Sequence, residues 1–229
     1  MLWHNIIVDK EKKQFGEWLK VWQEDQVSDD TDLLSHEDNL LDADESDENS
    51  FRRPSEREIA EQDRYLKRRW EEFQITARVV AEAFSKVAFV EKVALFGSIA
   101  KPLPVEVTRF SKFRRWGVAL SHECKDVDLA VWVSDLNSLK YLFKARNEGL
   151  NKLRDETGLT PAHHQIDVFI LEPRTDRYMG RLCCYNSCPR GKIECRVPNC
   201  GRLPFLQQHA GFDLDWKTVG ENRVLYVRK

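Results

Sequence analysis

The chain has 229 residues, 36 of them Lys or Arg and 38 Asp or Glu, with a formal net charge of −2. Its 24 Trp, Tyr and Phe residues suffice for one large domain, or for a medium domain with a small one. No run of eighteen apolar residues exists, which excludes a membrane span of the usual helical kind.

The charge is unevenly spread. Residues 24–50 hold twelve Asp and Glu and no Lys or Arg, so the remainder carries +10 and suits a polyanionic partner or substrate. No basic leader followed by an apolar stretch opens the sequence, so the expected location is the cytoplasm, where cysteines stay reduced.

In chain order, residues 1–23 form an amphipathic N-terminal segment with a weak helical stripe through Phe15, Trp18, Leu19 and Trp22. Residues 24–50 read as an acidic flexible linker, because like charges repel and apolar surface is scarce. Pro54 and the capping-box pattern Ser55-Glu56-Arg57-Glu58 then predict a helix over 56–88, with apolar positions from Ile59 through Leu66 and Phe73 to Phe84. Phe89–Phe96 reads as a strand that runs into Gly97-Ser98. Pro102 and Pro104 prevent an immediate helix, and 106–110 is expected to be extended. A strand over 127–133, a helix over 138–155 and a strand over 165–171 follow. Gly220-Glu221-Asn222 before Arg223–Val227 suggests a closing hairpin.

Three acids stand out against this pattern. Asp126 and Asp128 open the run Asp126–Val133, and strand periodicity points them to the same side. Asp167 interrupts the apolar run 165–170. Paired like charges need a compensating cation, so the set suggests Mg²⁺ and phosphate chemistry. Gly97 permits close backbone approach, and Ser98 with neighbouring N–H groups suits phosphate oxygens. Gly-Ser alone, or Asp-x-Asp alone, is ordinary turn and surface chemistry. The ordered set within apolar strands, where an unpaired carboxylate is costly, carries the argument.

At Leu95–Lys101, Lys125–Val131 and Gln165–Val168 the sequence resembles the DNA polymerase beta-like nucleotidyltransferase superfamily, particularly its small prokaryotic members. The resemblance covers about 55–171. It implies an α/β (α+β) fold, with a mixed sheet backed by helices over 51–178. It also implies Mg²⁺-dependent transfer of a nucleoside monophosphate from a nucleoside triphosphate, ATP being the expected donor. Asp126, Asp128 and Asp167 would be catalytic and hold Mg²⁺; Gly97, Ser98, Lys101 and Arg115 would bind the nucleotide. Related proteins act on RNA or DNA ends, proteins or small molecules, and some serve as antitoxins, so the acceptor stays open. The 27 residues between Ser98 and Asp126 exceed the short connection usual in small members. This insert carries Lys101, Arg109, Lys112, Arg114, Arg115 and Lys125, suited to a triphosphate or a nucleic-acid backbone.

The segment 179–229 holds five cysteines. Cys183-x4-Cys188 and Cys195-x4-Cys200 are equally spaced pairs, and four thiolates suit a tetrahedral structural Zn²⁺. Cys184 rivals Cys183 as the first ligand, with the matched spacing favouring Cys183. The competing functional reading is a catalytically weak, nucleotidyltransferase-like module that binds nucleic acid or protein in a regulatory or antitoxin role.

Overall fold

The computed structural model describes residues 52–229, so the readings of 1–23 and 24–50 lie outside the described residues. Helix α1 (Glu56–Ser85) starts with the expected reciprocal cap. The Ser55 side chain accepts from the Glu58 N–H, and the Glu58 carboxylate accepts from the Ser55 N–H at 2.8 Å. Arg52 and Lys112 also bind Glu58, and these hydrogen bonds hold its carboxyl well below the usual carboxylate range. The helix ends three residues earlier than its sequence pattern suggests. The Lys86 N–H turns back to the Ala83 carbonyl and the Val87 N–H to the Phe84 carbonyl, tightening the last turn.

A six-stranded mixed sheet follows, built from β1 (Val90–Phe96), β4 (Val127–Val133), β5 (Ile166–Leu171), β6 (Tyr178–Leu182), β7 (Leu206–Gln207) and β8 (Arg223–Val227). Its order is β7-β6-β5-β4-β1-β8. Only β4 and β5 are parallel neighbours in it. A parallel pair needs a long crossover, and helix α2 supplies it over Leu139–Thr157, counting only helices of two turns or more. Gly158 ends that helix in the left-handed conformation at φ 75°. The stretches read from the sequence as 51–178 and 179–229 share this one sheet.

Strand alternation divides the apolar side chains between two faces. Val93, Leu95, Leu129, Val131, Val168 and Ile170 pack with Phe84 of α1 and Leu142 of α2. Ala94, Phe96, Ala130, Trp132, Phe169 and Leu171 line the opposite face. There they meet Tyr178, Leu214, Trp216 and Val219, so part of the face away from the helices is roofed by residues 214–219.

The insert between β1 and β4 contains the hairpin pair β2 (Val105–Val107) and β3 (Ala119–Ser121), with a single helical turn at Ser111–Arg114 between them. Phe113 and Leu120 pack against Leu66 of α1. The Ser121 N–H donates to Asp63 at 2.8 Å, and Lys112 reaches Glu58. The insert is thereby docked on the N-terminal half of α1. The expected extension to residue 110 stops at Val107, where the chain turns to let Phe113 reach this apolar patch.

The expected closing hairpin does not form. β8 pairs antiparallel with β1, more than 120 residues away, because the free edge of β1 offers a longer ladder than any local partner. Arg228 then caps the α1–β1 connection, donating to the carbonyls of Val90 at 2.7 Å and Val87 at 2.6 Å. No helix among the described residues is long and apolar enough to cross a membrane. Arg228→Ala should destabilise the fold by about 1 kcal/mol, since it removes two charge-assisted hydrogen bonds to backbone carbonyls at once. A chemical-denaturation midpoint equal to that of the parent would contradict this capping role.

Candidate active site

Asp128 and Asp167 are register partners on the parallel pair β4–β5, and Asp128 also stands opposite Phe96 at the end of β1. Adjacent strands lie about 4.8 Å apart, so the two carboxylates crowd one another. Asp126 precedes β4 and adds a third negative charge felt by both. By alternation, all three lie on the face away from α1 and α2. The sequence pattern suggests an open face; the structure instead roofs its lower part with Trp216 and Phe212, leaving the acids at the margin of an aromatic layer. Phe96 meets Trp216 edge-on at 5.7 Å, and Phe169 meets Phe212 at 5.9 Å.

Crowding and burial dominate the electrostatics. Burial, followed by the charges of Asp167 and Asp126, pushes the Asp128 carboxyl up to about 7, against a smaller opposing effect of Arg181. Burial also raises Asp167, while Arg181 opposes the rise. The Arg181 Nη1 donates to Asp167 Oδ2 at 2.7 Å. The guanidinium lies over the Phe169 and Phe212 rings at 4.3 and 4.9 Å. His209 joins this group: burial and Arg181 lower its basicity, while Asp167 opposes them. Arg181 Nε and His209 Nε2 are both buried without a hydrogen-bond partner.

Gly97 is required here. It adopts φ 76°, and a Cβ on it would come within 2.3 Å of Asp128 Oδ2. The following turn, Ser98–Ala100, is held from below by Gln74 of α1. The Gln74 amide nitrogen donates to the Ile99 carbonyl, and its oxygen accepts from Arg223 of β8. The Ser98 hydroxyl interacts with the buried thiol of Cys124, which burial pushes up.

The structure thus brings together Gly97, Ser98, Asp126, Asp128 and Asp167. Lys101 is exposed just after the turn, and Arg115 is exposed on the docked insert. The cations acting most on Asp128 and Asp167 are Arg181, His209 and Arg146 rather than those two. Arg181, His209 and Gln74 are the site residues that sequence reasoning missed. The signal for Arg181 was a charge inside the apolar stretch 178–182; Gln74 sat polar within a helical stripe. His209 left no signal.

The cysteine segment adjoins this region. Cys183 follows β6 directly, is buried, and donates its N–H to the Phe205 carbonyl at 2.8 Å. Its sulfur accepts a hydrogen bond from the Tyr185 N–H, and it lies within the electrostatic reach of Cys184, Cys188 and Cys195. Gly201, next to Cys200, leaves room for the Cys188 sulfur, which would stand 3.6 Å from an added Cβ. All six cysteines are free thiols. Among the described residues, no three His, Cys, Asp or Glu side chains converge closely enough to hold a metal ion as the chain stands. Arg181 occupies one oxygen of Asp167.

A groove of about 610 Å³ lies elsewhere, behind the sheet between α1 and α2, lined by Val79, Ala83, Phe89, Tyr141 and Gly149. It shares no residue with the acid cluster. Comparison with family models, curated proteins and solved structures gave no match.

Two outcomes follow from the crowding. Asp128 binds its proton more tightly when folded than its ordinary value allows, so its contribution to stability is present at low pH and is lost as pH rises from about 4 through about 7. Asp128→Asn should therefore stabilise the metal-free protein by ~2 kcal/mol at pH 8 and by little at pH 4.5. A pH-independent difference between the two proteins would refute the assigned cause. Gly97→Ala should be severely destabilising alone, yet partly rescued by Asp128→Gly, because the clash is pairwise. Strict additivity in that double-mutant cycle would show the two residues to be uncoupled.

Proposed function

We propose that this chain is a nucleotidyltransferase of the DNA polymerase beta-like kind. It transfers a nucleoside monophosphate from a nucleoside triphosphate, ATP being the expected donor, to an RNA, DNA or protein hydroxyl in a reducing cytoplasm. The observation that carries this reading is the pairing of Asp128 with Asp167 on adjacent parallel strands, beside Asp126 and against a side-chain-free Gly97. Three carboxylates on one face concentrate the negative charge that a divalent cation would offset.

Asp126 and Asp128 would hold Mg²⁺ together, and Asp167 would complete the ligand set. Bound Mg²⁺ supplies charge neutralisation on the phosphates and on the leaving pyrophosphate. In the transfer, the acceptor oxygen forms a bond to the α-phosphorus, the bond to the bridging oxygen breaks, and pyrophosphate leaves. The acceptor proton passes to the Asp167 carboxylate. The backbone after Gly97 and the Ser98 hydroxyl receive the outer phosphates, with Lys101 and Arg115 supplying further positive charge. Arg181, once released from Asp167, can meet a phosphate oxygen through its unpartnered Nε. The cysteine segment has a structural part: Cys183, Cys188, Cys195 and Cys200 would hold one Zn²⁺. The Tyr185 N–H bond to the Cys183 sulfur favours Cys183 over Cys184 as the first ligand, because such bonds stabilise a ligating thiolate.

One observation favours the second reading, a binding module of weak activity with a regulatory or antitoxin role. Arg181 already balances Asp167 and is flanked by two aromatic rings, an arrangement that would persist where no catalytic ion is needed.

Incubation with each labelled nucleoside triphosphate, Mg²⁺ and cellular RNA, DNA or protein separates the two readings. Transfer should require Mg²⁺ and fall by at least about 10²-fold in Asp128→Asn and in Asp167→Asn, the latter retaining nucleotide binding. Full turnover in both variants would refute the site. Inactivity with every acceptor, together with tight binding of one of them, would establish the binding module.

A further inference from the structure

The insert between β1 and β4 and the helix beneath it gather most of the positive charge of the described chain. Residues 52–70 and 101–125 together hold thirteen Lys and Arg against six Asp and Glu, an excess of seven out of the ten outside residues 24–50. Most of these acids are engaged locally: Glu58 by Arg52 and Lys112, Glu61 by Arg57, Asp63 by Lys67, and Glu106 by His122. The connection from Val107 to Ala119 contains Arg109, Lys112, Arg114 and Arg115 and no acid. Arg109, Arg114 and, on α1, Arg64 are exposed and make no ion pair among the described residues.

Packing explains why these charges face water. Phe113 and Leu120 are buried against Leu66, with Phe110 and Val118 beside them. The side of the insert that meets α1 is therefore apolar, and Arg114, Arg115 and Trp116 are left exposed. Two aromatic rings belong to the same outer surface. Trp116 is 43% exposed at the end of the hairpin, and Tyr65 is 46% exposed on α1. Tyr65 lies seven residues beyond Glu58, hence on the same flank of the helix, and Glu58 is the residue that accepts from Lys112 at 2.6 Å. Arg69, one turn further, reaches the Tyr65 hydroxyl at 3.5 Å. Val105 and Val107 of the hairpin are exposed as well. Apolar groups exposed together and rimmed by charge mark an interaction surface.

The chemistry of the surface selects its occupant. Guanidinium forks match the oxygens of a phosphate backbone, and exposed rings match the flat faces of unpaired bases. An acidic peptide would answer the charges and leave the rings without flat partners. A duplex keeps its base faces inside its own stack. We propose that the outer surface of the insert, with the Tyr65 flank of α1, binds a single-stranded nucleic acid through its phosphates and base faces, without selecting the sugar. The binding stands apart from the acid cluster; that the bound strand is the acceptor rests on the nucleotidyltransferase reading above. Both ends of the insert join the acid cluster, one after Ser98 and the other at Asp126, so the surface adjoins the acids.

The test measures binding of the full, reduced chain to a fluorescent mixed-sequence RNA of about twelve nucleotides, to the matching DNA, to their duplexes and to an abasic strand, at several salt concentrations. The RNA and DNA single strands should bind alike, and the abasic strand and the duplexes about 10-fold more weakly. Arg109→Gln and Arg114→Gln should each reduce the slope of log affinity against log salt by about 0.7. Trp116→Ala and Tyr65→Ala should each weaken binding about 5–10-fold, with Trp116→Phe close to the parent. Melting curves of the same samples report folding, and Lys144→Gln on α2 should leave binding unchanged. Asp128→Asn should bind at least as tightly as the parent. Equal affinity for the abasic strand would reduce the surface to a general polyanion contact and overturn the proposal. Preference for a duplex would overturn it too, as would selective binding of the RNA, which would put recognition at the ribose hydroxyls. No binding by the parent, or binding unchanged in all four surface variants, would remove the strand from this surface. Binding here with no label passed to the strand from any nucleoside triphosphate would leave the proposal standing and count against the nucleotidyltransferase reading.

Discussion

Two carboxylates forced side by side set the terms for everything around them. Asp128 and Asp167 cannot separate, because the ladder between β4 and β5 fixes their register along the whole strand pair. Apolar neighbours continue both strands, so the acids cannot retreat into water by shifting one residue without turning every core side chain outward. The remaining freedom is to add positive charge or to hold a proton. The structure uses both: Arg181 lies on Asp167, and Asp128 titrates near neutrality. Gly97 completes the constraint from the third strand, since any side chain there would collide with the crowded carboxylate.

Much of this was legible in the chain. The strands β1, β4, β5 and β8 and both long helices follow from the sequence pattern, whereas β6 and β7 did not, and the three acids announce themselves by interrupting the apolar runs. What stayed hidden depends on contacts distant in sequence or on local irregularity. Arg181 faces the acids because the β5–β6 ladder is irregular near Gly180, where φ is 144° and a Cβ would meet the Gln207 carbonyl at 2.8 Å. That irregularity puts Tyr178 and Arg181 on one side despite their odd spacing, which period-two reasoning cannot foresee. Gln74 looks like a misplaced polar residue until Ile99 and Arg223 are brought to it by the fold. The aromatic roof is similarly non-local: Phe212, Leu214 and Trp216 have no regular period of their own, and they acquire meaning only against Phe96, Trp132 and Phe169.

β6 links the acid cluster to the cysteine segment. Its last residues carry Arg181 on the side of the acids and lead directly into Cys183. A strand in a ladder transmits displacement to its neighbours with little loss, as both flanking partners are bonded to it. β6 is therefore the direct connection between the Arg181 side chain at the acid cluster and Cys183 at the start of the cysteine segment.

The pairing of β8 with β1 has a consequence for how the protein is made. β1 is among the first strands to leave the ribosome, and one of its edges has no partner until residues 223–227 have been synthesised. Through that interval an apolar strand presents unpaired N–H and C=O groups, the surface on which other chains add strands. The same delay withholds Arg223 from Gln74. Until residues 223–227 arrive, the edge of β1 stays open and the turn after Gly97 lacks one of its supports, so the interval before β8 docks is one of exposure to misassembly.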